Sequence, residues 1–186
     1  MDIKTLIIKF NETIDVWIGE LSHYDYHQLC LRPNADSWSL GQVYVHLIND
    51  TKYYFQQIEE CVGSNQNEFQ EMTDFTKDWF ENNSFPNTKM VGSPDNEMPP
   101  NPYSKEQVFN DLNKLKFALN EIGIKILRTT NKGKTKHPAF QYFNSAEWFR
   151  YAEMHFRHHL KQKEQIDNFL NMISKSVDEY IKTSKK

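Results

Sequence analysis

The sequence has few cysteines, and they follow no recognisable pattern. Only Cys30 and Cys61 occur among the 186 residues, they form no CxxC pair, and neither stands beside a histidine. A disulfide framework or a cysteine-based zinc site would need more thiols at closer spacing. We therefore expect both to be reduced side chains, buried or incidental, rather than catalytic nucleophiles.

Long hydrophobic runs and an excess of one charge are also missing. No segment approaches the roughly 18 consecutive apolar residues of a transmembrane helix, and the N-terminus lacks the features of a signal peptide. The formal net charge is only −3 and the sequence pI is near 6.2, so no basic field attracts nucleic acid or an anionic membrane. These absences predict a cytoplasmic protein whose partner is neither nucleic acid nor a membrane.

Apolar residues are plentiful and recur at helical spacing, which predicts an all-α fold. Hydrophobic residues make up 38% of the chain, enough for the core of one domain spanning residues 1–186. Alternating steps of three and four residues predict helices at about residues 3–21, 39–61, 104–128 and 144–174. Capping pairs support two of the starts, Ser39 with Gln42 and Asn144 with Glu147. We expect a four-helix bundle with a long crossover connection between its second and third helices.

Two of the three connections between the predicted helices have distinctive sequences. Residues 63–102 contain five of the seven prolines, which forbid a continuous helix, although aromatic residues predict a short helix over about residues 73–81. A connection of this length is typical of a functional lid or of disorder, and its aromatic residues favour an ordered lid. The basic stretch at 132–137 is expected to be a solvated loop that could attract an anionic group to a nearby site.

The fourth predicted helix carries a cluster of histidines. At about 100° per residue, His155 and His159 fall on the same face as Trp148 and Ala152, and charged residues fall opposite. His158 lies about 80° from the middle of that face, at its edge. A buried imidazole needs a partner, and two imidazoles one helical turn apart suit a metal ion.

A third ligand is predicted on the second helix. His46 borders the apolar stripe of that helix, on a polar strip with Gln42, Asp50 and Tyr53. Asp50 could be a further ligand or could accept a hydrogen bond from His46. Gln162 could hold in place the second ring nitrogen of a ligand histidine of the fourth helix. Three neutral imidazoles with an open coordination position would form a catalytic metal site rather than a structural one. Imidazole suits Zn, Ni, Cu and Fe, of which zinc or nickel is favoured.

These residues carry a resemblance to a known family. The segments WSLGQVYVHLI at 38–48 and HPAFQYFNSAEWFRYAEMHFRHHLKQ at 137–162 resemble the motifs of the DinB-like (YfiT-like) superfamily of metal-dependent four-helix-bundle enzymes. The resemblance implies a metal ion held by His46, His155 and His159, with His158 unused. It is specific in the two motif-bearing helices and rests only on architecture elsewhere.

The resemblance implies a type of chemistry without identifying a substrate. Members of the family include transferases and isomerases that use small thiols such as mycothiol or bacillithiol. A divalent metal on three neutral imidazoles keeps its full charge, so it can lower the pKa of a bound thiol or water or polarise a carbonyl. We predict a metal-dependent transferase or hydrolase in which a low-molecular-weight thiol or water attacks a small electrophilic substrate. Asp50 or Tyr53 could accept the proton or orient a reacting group.

Two alternatives stay open on the sequence alone. The first is a non-catalytic bundle that binds a metal or a partner, with the option of a homodimer formed through a helix face. In that case hydrogen bonds would satisfy the histidines. The second is haem held by histidines inside the bundle, which would give a coloured protein with a Soret band.

Overall fold

Four long helices dominate the chain. The computed structural model describes residues 1–86 and 98–183, and its long helices are α1 (Ile3–Leu21), α3 (Leu40–Gly63), α5 (Lys105–Arg128) and α6 (Ser145–Thr183). Two short helices, α2 (Tyr26–Cys30) and α4 (Asp74–Asn82), lie in the connections. Strands β1 (Lys134–His137) and β2 (Gln141–Asn144) form an antiparallel hairpin before α6. The predicted helical bundle is confirmed, with this small hairpin added to it.

Paired side-chain caps explain where two of the long helices begin. The Ser39 hydroxyl accepts a bond from the backbone N–H of Gln42 at 3.1 Å, and the Gln42 side chain accepts one from the N–H of Ser39 at 2.8 Å. Asn144 and Glu147 exchange the equivalent bonds at the start of α6, at 2.9 and 2.7 Å. Each pair satisfies two backbone donors that no helical carbonyl can reach.

Aromatic side chains fill the centre of the bundle and set the rotation of α6. Phe10 of α1 packs edge-on against Phe149 and Phe156 of α6, with ring centroids 5.6 and 5.5 Å apart. The indole N–H of Trp17 donates to the carbonyl of Phe156 at 3.2 Å, and the hydroxyl of Tyr44 donates to the carbonyl of Trp17 at 2.8 Å. These contacts join α1, α3 and α6 and satisfy the polar atoms of the buried rings.

Two arginines of α6 fasten the short helix α4 to the bundle. Asn83, in the left-handed region at a φ of 51°, ends that helix. Arg150 donates to the carbonyl of Phe80 and, at 3.1 Å, to the side chain of Asn83, whereas Arg157 donates to the Asn83 carbonyl at 3.0 Å. The positive side chains thus bind the carbonyl end of α4, where the helix dipole favours cations.

The basic stretch at 132–137 is not the solvated loop expected from its lysines. Its residues from Lys134 onward form β1, and Gln141, at a φ of 68°, begins β2 after the turn. The Lys134 ammonium bonds to the carbonyl of Gln70 and lies 3.0 Å from the Glu71 carboxylate, leaving only 11% of its side chain exposed. Strands of four residues are too short for their alternation to stand out in a sequence.

The last helix is longer than predicted. It continues to Thr183, past the end expected near residue 174. Leu170 is buried, whereas Met172 is 62% exposed, so the final turns project beyond the core. Among the described residues, no helix combines the length and the apolar character needed to cross a membrane.

Candidate metal centre

Three histidines from two helices meet where α3 packs against α6. His46 belongs to α3, and His155 and His159 belong to α6. Their ligand nitrogens all lie within 4.8 Å of one another. His155 and His159 are buried, whereas 17% of the His46 side chain is exposed. The structure therefore brings together the three residues proposed as ligands, in a group that could hold a metal ion.

The Nε2 atoms of the three rings converge. His155 Nε2 lies 3.1 Å from His46 Nε2 and 3.0 Å from His159 Nε2. Nitrogens bound at about 2.0–2.1 Å to a tetrahedral zinc ion stand about 3.3 Å apart, so the observed spacing is close to that of a ligand set. Each imidazole nitrogen carries either one proton or one lone pair, so three converging nitrogens cannot all satisfy one another. A cation can accept all three lone pairs.

Acceptors behind two of the histidines fix which nitrogen carries the proton. Asp50 Oδ1 lies 3.4 Å from His46 Nδ1, and its other oxygen accepts a bond from the Tyr54 hydroxyl at 3.2 Å. Gln162 Oε1 lies 2.7 Å from His159 Nδ1. An acceptor at Nδ1 favours the tautomer with its proton there, which leaves the Nε2 lone pair free for a metal.

His155 cannot be satisfied by hydrogen bonds alone. Its Nδ1 is buried and has no hydrogen-bond partner among the described residues. A proton on Nδ1 leaves a buried donor unpaired, whereas a proton on Nε2 can serve only one of the two neighbouring lone pairs. Either tautomer leaves a buried polar atom unsatisfied, at a cost of about 1–3 kcal/mol. A cation at Nε2 resolves the conflict between the three lone pairs, although the Nδ1 proton of His155 then has no acceptor among the described residues.

Burial keeps the three imidazoles neutral. The pKa of His159 is lowered to about 3, chiefly by desolvation and also by the proximity of His46, although the bond to Gln162 opposes the shift. Desolvation also lowers the pKa of His46, against the attraction of Asp50, and holds that of His155 well below its usual value. The neutral form is the one that binds a metal, so the site suits a cation at neutral pH.

Aromatic rings surround the histidines. Trp38 packs against His46 with ring centroids 4.9 Å apart, and Phe85 lies 6.4 Å from His155 and 5.5 Å from His158. His158 itself is half-buried beside the group of three and is not part of it. An apolar surround of this kind strengthens electrostatic interactions at the centre.

The comparisons with known proteins bear on the fold. No family model matches the chain, and no curated protein does. Among solved structures it is similar to TT2238, described as a four-helix bundle protein, with a TM-score of 0.59 and 16% identity over 88% of this chain and 99% of that chain. The chain has the fold of a four-helix bundle. Because a shared fold does not fix function, this similarity shows the fold alone.

The two residues proposed as proton acceptors occupy different surroundings. Asp50 lies beside the histidines, and burial raises its pKa although a neighbouring imidazole and phenol oppose the shift. Tyr53 is 37% exposed, with its ring against those of Tyr54 and Trp148. Tyr54 was not among the predicted site residues, yet its hydroxyl donates to Asp50 and its ring lies 5.9 Å from that of His155. The signal in the sequence for this contact was the position of Tyr54 one helical turn after Asp50.

The predicted lid at 63–102 is only partly described. Phe85 of this connection packs against the rings of His155 and His158. Helix α4 lies against the hairpin through the contact of Trp79 with Phe140, whose ring centroids are 4.9 Å apart. Residues 87–97 lie outside the described part of the chain. That this connection acts as a lid stays a prediction.

Removal of the groups behind His46 is expected to weaken metal binding. Asp50→Ala deletes the acceptor of its Nδ1 proton, and we expect about 10–100-fold lower zinc affinity, the range typical of such partners. Tyr54→Phe, which loses only the bond to Asp50, should give a smaller decrease. Competition with a chromophoric chelator measures both affinities. Tyr53→Phe is the matched control, and a larger effect there than in Tyr54→Phe would contradict the assignment.

Proposed function

We propose that the chain is a metal-dependent enzyme of the DinB-like type, in which a small thiol or water attacks a small electrophilic substrate. The ligands would be His46, His155 and His159. The observation that carries the proposal is the convergence of their three Nε2 atoms, at 3.0 and 3.1 Å, with acceptors behind two of the rings. A protein that supplies only three ligands leaves a coordination position for water or another small molecule.

The proposed chemistry follows from the charge of the ion and the neutrality of its ligands. When bound, a divalent ion on three imidazoles lowers the pKa of a thiol or water and polarises a carbonyl. Asp50 is proposed to orient His46, because one of its oxygens already faces that ring and the other accepts from Tyr54. Tyr53, whose ring is more exposed, stays a candidate for the proton acceptor.

The identity of the metal, the co-substrate and the compartment are part of the same proposal. Imidazole donors favour zinc or nickel over magnesium or calcium, which prefer oxygen. A low-molecular-weight thiol is proposed as the nucleophile. Cys30 and Cys61 are free thiols, which is typical of a reducing compartment such as the cytoplasm.

A second candidate function is a bundle that binds a metal without catalysis. Its support is the depth of the site, since His155 and His159 are 6% and 8% exposed. A substrate would have to approach past His46, the more exposed ligand. Both functions require the same metal, so only turnover separates them.

A turnover assay tests the catalytic proposal. The protein loaded with zinc or nickel is incubated with a chromogenic aryl halide and a set of small thiols, and separately with a chromogenic ester in water. We expect a rate at least about tenfold above that of the metal-free protein. His155→Ala, carried through the same loading, should show only the background rate. Absence of turnover with every thiol and with water would favour the metal-binding bundle without catalysis.

A further inference from the structure

Helix α5 carries a second apolar stripe on the face turned away from its own core. Its inner face is buried through residues such as Leu112 and Leu119. The outer stripe has four apolar members, Phe109, Phe117, Ile124 and Leu127. Asn113 and Asn120 fill the positions between them, so neighbouring members are three or four residues apart. Phe117 is 68% exposed, and the other three apolar members are 45 to 47% exposed. This spacing is that of a seam against another helix.

The neighbouring helix α1 extends the same surface. Asn11 and Asn120 bond through their side chains at 3.0 Å, and Ile7 packs so closely on Gly123 that a Cβ there would lie 2.5 Å from its side chain. These contacts place Ile8, which is 59% exposed, beside the Ile124 end of the stripe. Single exposed apolar residues are ordinary on a monomer, but an aligned group of this kind marks an interaction surface.

The charges on α5 indicate what covers this stripe. Glu106 and Arg128 each lie 11 residues from Phe117, on opposite sides of it. Lys114 and Glu121 also lie on opposite sides, three and four residues from it. All four charged residues are exposed. A second α5 packed antiparallel about Phe117 would bring Glu106 to Arg128 and Lys114 to Glu121, each contact occurring twice. A parallel copy would oppose like charges instead.

We propose that the outer face of α5, with Ile8 of α1, is an interface covered by a second copy of this chain, with the two α5 helices antiparallel. The same surface on both copies meets itself, as a two-fold interface requires. The stripe is about 27 Å long at 1.5 Å per residue, or about five helical turns. Since α5 packs between α1 and α3, diagonally opposite α6, the interface is independent of the histidine centre.

Substitution of the central phenylalanine tests the interface. Sedimentation velocity over a wide concentration range is expected to give a species of twice the 22.2 kDa chain mass. Phe117→Glu should weaken dimerisation at least about 30-fold, and its exposed position should leave the fold intact by circular dichroism. Met172→Glu, at a residue of similar exposure on α6, is the matched control. A protein that is monomeric at every concentration, or a dimer broken by Met172→Glu and not by Phe117→Glu, overturns the proposal.

A charge exchange tests whether the partner is an antiparallel copy. Lys114→Glu and Glu121→Lys should each weaken the dimer, because each creates two like-charge contacts. The double variant should restore it, since the opposite charges meet again. The Lys114 ammonium also lies 3.6 Å from Asp111, but its side chain is 79% exposed and that contact adds little. A double variant as weak as the two single variants combined would rule out the antiparallel pairing.

Discussion

Replacement of His155 by alanine is expected to abolish stoichiometric metal binding. Protein purified without a polyhistidine tag should carry close to one equivalent of a divalent transition metal, measured by elemental analysis. His155 Nε2 is the atom within 3.1 Å of both other ligand nitrogens, so its removal leaves only two of the three donors. The loss should exceed the roughly 10–100-fold decrease that follows removal of a partner behind a ligand.

The neighbouring histidine supplies the control for this experiment. His158 is half-buried in the same helix but is outside the converging group, so His158→Ala should retain the metal. Metal that persists in a variant lacking His46, His155 and His159 together would refute the proposed site. A Soret band in the purified protein would instead point to haem.

The fold was predictable because helical periodicity is a strong local signal. The apolar steps of three and four residues located the bundle helices, and the pairs Ser39 with Gln42 and Asn144 with Glu147 form the caps expected of them. Features with weaker local signals were not predicted. The hairpin strands have four residues each, and the exposed end of α6 has no stop signal before Thr183.

The histidine centre was only partly accessible from spacing. A helical wheel turns His155 and His159 to the same face, but it cannot say which other helix lies against that face. The place of His46 on the polar strip of the second predicted helix made it the proposed partner, and the resemblance of the two motifs supported it. The structure brings it together with the other two histidines. The role of Tyr54 was out of reach, because a phenol on an apolar stripe is typical of core packing. Only the positions of side-chain atoms reveal its bond to Asp50.

The metal-free protein is expected to lose stability as the pH falls from about 6.5 to 4. Burial lowers the pKa of His159 from 6.5 to about 3 and that of His137 from 6.5 to about 4. Between these values the unfolded chain binds protons that the folded chain does not, so the free energy of unfolding decreases with decreasing pH. Each histidine lowers the free energy of unfolding by up to about 1.4 kcal/mol for each pH unit of decrease. The two together lower it by several kcal/mol, as an order of magnitude, at pH 4.

His137 separates this effect from the metal centre. It belongs to β1, its ring stacks on those of Phe140 and Trp148 with centroids 4.4 and 5.2 Å away, and its Nδ1 accepts the backbone N–H of Ala139 at 3.1 Å. In His137→Asn the amide oxygen can replace that acceptor, and the side chain no longer titrates. The pH slope of the free energy of unfolding should therefore decrease by up to about 1.4 kcal/mol per pH unit in this range.

Urea unfolding of wild type and His137→Asn in the presence of a chelator, at pH values between 4 and 7, measures the slope. Asp50 and Glu147 have pKa values raised by burial, so the folded state takes up their protons first and they act in the opposite direction. Their contribution is common to both proteins and cancels in the difference between them. Equal slopes would mean that His137 is protonated as readily in the folded chain as in the unfolded one, and that its stacked site does not exclude the charged form.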